Sequence, residues 1–449
     1  MHTTADELIK NIMNLLPLHP STRALMFLFL LLCVHAGDDI VPRESTLDRT
    51  EPGFGSLFPL TRRKVLCVLL LVPLTVVTVA GGLGGGAVGV TMFLLLLGTS
   101  LIQSVALANC VVAVSALAQY FGFNAWARRP TMDGLGEPAT DYGIAVVLLP
   151  MTLLGAKCGF FAYRLFSASL MLLLLTVIML VLTLITIKKA TRMVLSPPAS
   201  EQSAELVELK EDPAAQHDIT VAEEENWKAA EKSSIPMFPR GKLAYSALML
   251  VVMLVSDLAE GTDQQPSVLG VKMCSVSYFA IHALVILGAV VLGLAGIRLA
   301  QNIELGPRNA FRVCGIAFLS GFLVSSTGIG GGFVLNPLLL QMGLAPEVTA
   351  ATTIFVLSIT SSAVGILMSA RGQVSLSYFL IMATGGVVGT IAAKVGMARF
   401  LRDREKTQLT IVCCVAAILV MADVLIPLAV YLRGAGVEDM FVMKSFCSS

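Results

Sequence analysis

Apolar runs, most of them near the ~20 residues that a helix needs to cross a bilayer, recur along almost the whole chain. They lie at about 65–80, 87–98, 102–122, 142–166 and 168–187, and again at 241–256, 276–299, 311–327, 333–343, 344–369, 376–399 and 407–432. In lipid every backbone N–H and C=O must be satisfied within the protein, so runs of this kind are read as helices. Composition agrees: 56% of the residues are hydrophobic and 14% are charged, against about 25% charged in soluble domains. The expected fold class is therefore all-α, a polytopic membrane protein. With 31 basic and 30 acidic residues the formal charge is +1, which gives no basic surface for nucleic acid.

The runs divide into blocks. Residues 1–36 hold Arg23 and then an apolar stretch from Ala24 to Val34, the length of a signal-peptide core. Val34-His35-Ala36 suits cleavage, and an uncleaved first anchor is the alternative. Residues 37–64 are a polar extramembrane linker and 65–187 a first membrane repeat. Between Glu201 and Lys232, inside the loop 188–240, ten acidic residues face three lysines, a composition too polar to fold alone. Two linking spans follow at 241–300, then a second membrane repeat at 301–432 and a polar tail at 433–449.

The evidence for a repeat is a set of landmarks in matching order. Gly82-Leu83-Gly84-Gly85-Gly86 and Gly328-Ile329-Gly330-Gly331-Gly332 each interrupt an apolar region. Ala108-Asn109-Cys110 follows the first, and Thr352-Thr353-Ile354 follows the second at a similar distance. Ala156-Lys157-Cys158-Gly159 and Ala393-Lys394-Val395-Gly396 complete the series. Paired glycine interruptions at corresponding places in two halves point to the central site of a secondary transporter. Placing Arg128, Arg129, Arg240, Lys242, Arg298 and Arg399 with the other basic span ends on the cytoplasmic side leaves few cations opposite, chiefly Arg62, Arg63 and Lys64. On that count the two halves are inverted repeats of about five helical segments each, joined by the two linking spans.

A glycine break in a membrane helix requires surrounding protein or a water-filled cavity. The helix resuming after each break turns unpaired N–H groups and about half a positive charge toward it, which favours an anion. Gly82, Gly84, Gly85, Gly86, Gly328, Gly330, Gly331 and Gly332 are therefore candidate substrate-binding residues, with close helix packing as the competing account. Asn109, Asn336, Thr352 and Thr353 offer uncharged hydrogen-bonding groups nearby. Lys157 and Lys394 are ionisable groups within spans, where a functional role is the default and snorkelling the alternative. Asp141 and Asp257 read as solvated residues at span ends. Gly84 to Gly89 satisfies GxGxxG, but no strand and helix alternation surrounds it, so a dinucleotide site is rejected. The five histidines do not cluster, and the nine cysteines form no CxxC pair. No cofactor, metal or catalytic constellation is expected, and the chain is not read as an enzyme.

At the passages Thr327 to Leu338, Gly343 to Thr353, and Asp141-Tyr142 leading to Leu149-Pro150-Met151, the sequence resembles the sulfite exporter TauE/SafE family, and its longer plant-type members above all. The resemblance implies a permease for small sulfur-containing anions such as sulfite or sulfonates, coupled to a proton or sodium gradient, in the plasma membrane or an endomembrane. Lys157, Lys394 and Val90-Thr91 depart from the family's pattern. A scaffold or receptor acting through the acidic loop is the alternative from another class.

Overall fold

The computed structural model describes residues 61–129, 137–165, 176–191, 238–300, 307–342, 344–400 and 407–421, apart from gaps at 85, 100, 179, 189–190, 261–266, 268, 272–274, 328–330, 371–372 and 408. The expected signal peptide, most of the acidic loop and the polar tail lie outside the described residues, as do Gly85, Gly328 and Gly330.

The architecture is all-α. Helix α1 spans Arg62–Ala80, and α2 spans Gly86–Met92 and runs on through a π turn at Phe93–Leu97. Next come α3 (Leu101–Gly122) and α4 (Tyr142–Leu165). After the acidic loop come α5 (Arg240–Glu260) and α6 (Val276–Leu299). Then follow α7 (Pro307–Thr327), α8 (Gly332–Gln341), α9 (Pro346–Ala370), α10 (Leu376–Phe400) and α11 (Leu409–Met421). A two-residue antiparallel ladder, Arg128–Arg129 with Glu137–Pro138, is the one extended element among the described residues. Seven described helices are long and apolar enough to cross a bilayer, and the protein is an integral, multi-pass membrane protein. At about 1.5 Å rise per residue, the seven residues of α2 and ten of α8 are too short to do so. Each glycine break therefore separates a long helix from a short returning one.

Three helix pairs pack most extensively: α4 on α7, α3 on α9, and α1 on α10. In the first, Gly155 and Gly159 of α4 lie against the carbonyls of Phe318 and Phe322, while Gly321 of α7 lies against that of Thr152. This is a G-x-x-x-G contact in which small residues let two membrane backbones touch. The contacts advance together along both helices, so α4 and α7 are parallel. In the second pair, Tyr120 meets Phe355 with ring centroids 5.0 Å apart and Cys110 Sγ lies 3.6 Å from the Gly365 carbonyl, so α3 and α9 are antiparallel. In the third, Lys64 stands over the Tyr378 ring and Gly389 meets Val72 and Thr75, a parallel arrangement. Helices α5 and α6 pack on α4, with α5 also reaching α9.

Asp141 starts α4. Its carboxylate accepts from the N–H groups of Gly143 and Ile144, each at 3.0 Å, and its own N–H donates to Thr352 Oγ1 at 2.9 Å. The solvated boundary expected from sequence is thus a helix cap tied to α9. Asp141→Ala should cost about 0.5–2 kcal/mol, readable as a lower thermal midpoint in detergent with unchanged helix content.

Candidate functional site

The two breaks meet each other. Gly82 and Gly84 have φ of 71° and 70°, a left-handed conformation that glycine adopts without steric cost. The chain there turns from α1 into α2 against the start of α8. Gly332 lies on the Leu83 carbonyl and beside Leu357, and a Cβ on Gly82 would collide with Ala350. Asn336 Nδ2 donates to Gly81 O at 2.7 Å and Gly82 O at 3.2 Å. These are carbonyls that the break frees, so Asn336 satisfies backbone that lipid could not. The meeting point is filled, and Gly82, Gly84, Gly332 and Asn336 line no large void. Asn336→Ala should cost about 1–3 kcal/mol by leaving buried carbonyls without a donor, again read as a thermal midpoint.

The cavity lies beside this crossing. A space of about 300 Å³ opens between α3, α4, α5, α7, α9 and the start of α8, at Gly331 and Leu335. Of the sequence-derived candidates, Asn109, Lys157 and Gly331 line it. Lys157 sits between the glycines of the α4–α7 contact, with its side chain 5% exposed. Its Nζ donates to Asp257 Oδ1 of α5 at 2.8 Å, and the Asp257 side chain is 31% exposed. The ammonium is therefore the inner member of the pair and the carboxylate the outer. The reading of Asp257 as a solvated boundary residue is corrected by this ion pair. Hydroxyls complete the wall: Thr152, Ser320, Ser325, Thr360 and Ser361. Ser320 Oγ donates to the Gly331 carbonyl at 3.2 Å, tying α7 to the break. Asn109 Nδ2 donates to Val105 O at 2.9 Å.

The remaining candidates lie elsewhere. Gly86 begins α2 and is buried. Thr352 receives the Asp141 N–H, a structural bond. Thr353 is fully buried, its hydroxyl without a partner among the described residues, and is not on the cavity wall. Lys394 is half-buried on α10 and also off the cavity. The glycine contacts explain its separation from Lys157. Gly155 rests on the carbonyl of Phe318, ten residues before Gly328, and Gly389 rests on that of Val72, ten before Gly82. That register matches Gly155 with Gly389 and Lys157 with Ile391, so the two A-K-x-G sequences are three residues out of step.

Elsewhere, α1, α2 and α3 with Gly84 enclose a second void of only about 20 Å³.

Residues 266–422, which take in α6 through α11, match the family described as Sulfite exporter TauE/SafE. The chain carries a TauE/SafE domain. It is 25% identical to sulfite exporter TauE/SafE family protein 3 of Arabidopsis thaliana over 398 residues, 80% of this chain and 76% of that protein. Family protein 1 of the same plant is 25% identical over 349 residues, covering 72% and 75%. Family protein 6 is 31% identical over 113 residues, 22% of this chain and 26% of its own length. No solved structure matches the chain. The resemblance read from the glycine motifs is borne out, and it extends on both sides of the acidic loop. TauE/SafE proteins are a membrane transporter family rather than an enzyme family.

Within that TauE/SafE framework, sequence reasoning missed Asp257, Ser320, Ser325, Thr360 and Ser361. The signal for the last two was present: Thr360-Ser361-Ser362 is a polar run inside an otherwise apolar span.

Proposed function

We propose that this protein is a secondary transporter of a small anion, a sulfur-containing one such as sulfite or a sulfonate, working by alternating access. The observation that carries the reading is the cavity of about 300 Å³ within the helix bundle, holding a membrane-embedded lysine ringed by hydroxyls beside a helix start at Gly331. That size is at the lower end for ligand sites and ample for a small oxyanion. Apolar walls strengthen the attraction of the ammonium for an anion. The names of the plant relatives favour sulfite as the first probe.

An inverted repeat supports the mechanism. The packing partners exchange under it: α4 on α7 corresponds to α10 on α1, and α3 crosses its own counterpart α9. Helices α3 and α9 run in opposite directions, as inverted copies must. One side open at about 300 Å³ and the other shut at about 20 Å³ is what one end state of a rocking carrier would present. On this reading residues 65–187 and 301–432 are the two repeats, 241–300 the linking spans, and Arg128, Arg240, Lys242 and Arg298 mark the cytoplasmic end.

Proteoliposomes loaded with labelled sulfite, sulfate, thiosulfate or a small carboxylate test the reading, and saturable movement of at least one is expected. A folded protein that moves none of them in either direction would overturn it. For orientation, single cysteines at 126 and 298 should label from one side and one at 62 from the other.

A further inference from the structure

A lone lysine in the cavity would attract an anion outright, but Lys157 is already neutralised. Asp257 holds its ammonium at 2.8 Å, and among the described residues these are the only charged ones lining the space. An arriving anion therefore meets an occupied cation, with a carboxylate of its own sign in contact with it. Together the three charges leave a net negative site in apolar surroundings, which is unfavourable. One proton on Asp257 removes the conflict.

We propose that Asp257 is the proton-coupling residue of the anion transport inferred above, an inference that rests on that reading: the cavity binds its anion only as Asp257 takes up one proton. The steps balance. A proton from water bonds to an Asp257 carboxylate oxygen, and the ion pair to Lys157 opens. Lys157 Nζ then donates to an oxygen of the anion, which now faces one cation and one neutral acid. The carboxylic O–H can donate to the anion too. After the cavity opens to the other side, the anion leaves, Asp257 gives its proton to water and the ion pair closes again. The geometry suits this order, because the outer, 31% exposed member of the pair is the acid and the inner, 5% exposed member is the cation.

Among the described residues, the titratable groups on the neighbouring helices leave the proton to that carboxylate. On α4 these are Lys157 and the half-buried Cys158 thiol. Helix α9 carries its single charged side chain, Glu347, in its first turn, far along the helix from the cavity residues Thr360 to Met368. On α6, His282 and Tyr278 are buried, with His282 edge-on to Phe161 one turn beyond Lys157 and 4.2 Å away between centroids. On α5 itself, Tyr245 is engaged with the Leu292 carbonyl and Lys242 stands at the opposite end.

The test uses the whole protein in proteoliposomes with the membrane potential clamped at zero by potassium and valinomycin. Labelled sulfite, sulfate and methanesulfonate are compared in two assays: exchange at equal pH, and net accumulation driven by a pH gradient. In the wild type a one-unit gradient should concentrate a monovalent probe up to about tenfold if one proton accompanies each anion. Asp257→Asn should lose the accumulation even where measurable exchange at a reduced rate remains. Accumulation by Asp257→Asn equal to wild type overturns the coupling role while leaving transport intact, and absence of any exchange in the wild type overturns the transport reading instead. Because Asp257→Asn could fail to fold, proton uptake by the wild-type protein in weakly buffered detergent is measured as well. About one proton should be absorbed per anion bound, and none absorbed while anion binds overturns the proposal.

Discussion

Replacing Gly155 with leucine will leave little or no folded protein in the membrane. A Cβ at this position would overlap the Phe318 carbonyl and press on Phe318 C at 2.8 Å and Phe322 N at 2.9 Å. All of these are backbone atoms of α7, so no rotamer change can make room. Ordinary overpacking costs about 1–3 kcal/mol because side chains yield; here one of the three main helix pairs would have to separate. The contact also lacks slack on its other side, since Gly159 and Gly321 touch backbone carbonyls as well. Gly315 on α7 and Gly396 on α10 have open space where a Cβ would go, so Gly315→Leu and Gly396→Leu are matched controls. Size-exclusion profiles of fluorescent fusions in mild detergent would decide it: a monodisperse peak for Gly155→Leu equal to that of Gly315→Leu would refute the packing account.

The second large effect is on transport. Lys157→Met keeps a long, flexible, apolar side chain beside the α4–α7 contact and removes the cation. Hydrogen bonds to a charged group contribute about 1.5–3 kcal/mol, so the initial rate of anion uptake at low substrate should fall roughly ten- to a hundredfold. Folding should survive better than in the glycine variant, because the stranded Asp257 is the more exposed partner and can be hydrated or protonated. Lys157→Arg should retain part of the rate. Lys394→Met, off the cavity, should change it by less than about twofold, within the scatter expected of residues away from a site. Equal losses for the two methionine variants would mean that the lysines act as a repeat-related pair after all, against the register given by Gly155 and Gly389.

Much of the fold was legible because lipid simplifies the code. Each span had to announce itself as an apolar run, and each break as a cluster of glycines, so α1 to α10 lie close to the stretches read from hydropathy. The family could be named from the passage around Gly328 to Pro337 for the same reason. The cavity was less legible, since its chemistry comes from residues far apart in sequence. Asp257 stands 100 positions from Lys157, on α5, and near a span end it looks like any solvated carboxylate. Asn336 shows the converse: a polar side chain beside a break invited a ligand role, and its Nδ2 is taken up by the carbonyls of Gly81 and Gly82. Counted from the Gly155 and Gly389 contacts, the two lysines fall three residues out of register. A four-residue motif slides along a repeating small-residue helix with little to stop it, whereas a glycine pressed on a carbonyl has one place.

The ion pair between Lys157 and Asp257 has an electrical consequence. A charge carried through the membrane field gains or loses about 2.3 kcal/mol per 100 mV, so a carrier with a bare embedded lysine would find its unloaded return favoured or opposed by the resting potential. In the proposed alternating-access cycle, the carboxylate 2.8 Å from the ammonium makes the two groups a neutral dipole whenever the site is empty. The return stroke then contributes no current through these residues, and the turnover rate of the unloaded protein should be nearly indifferent to voltage.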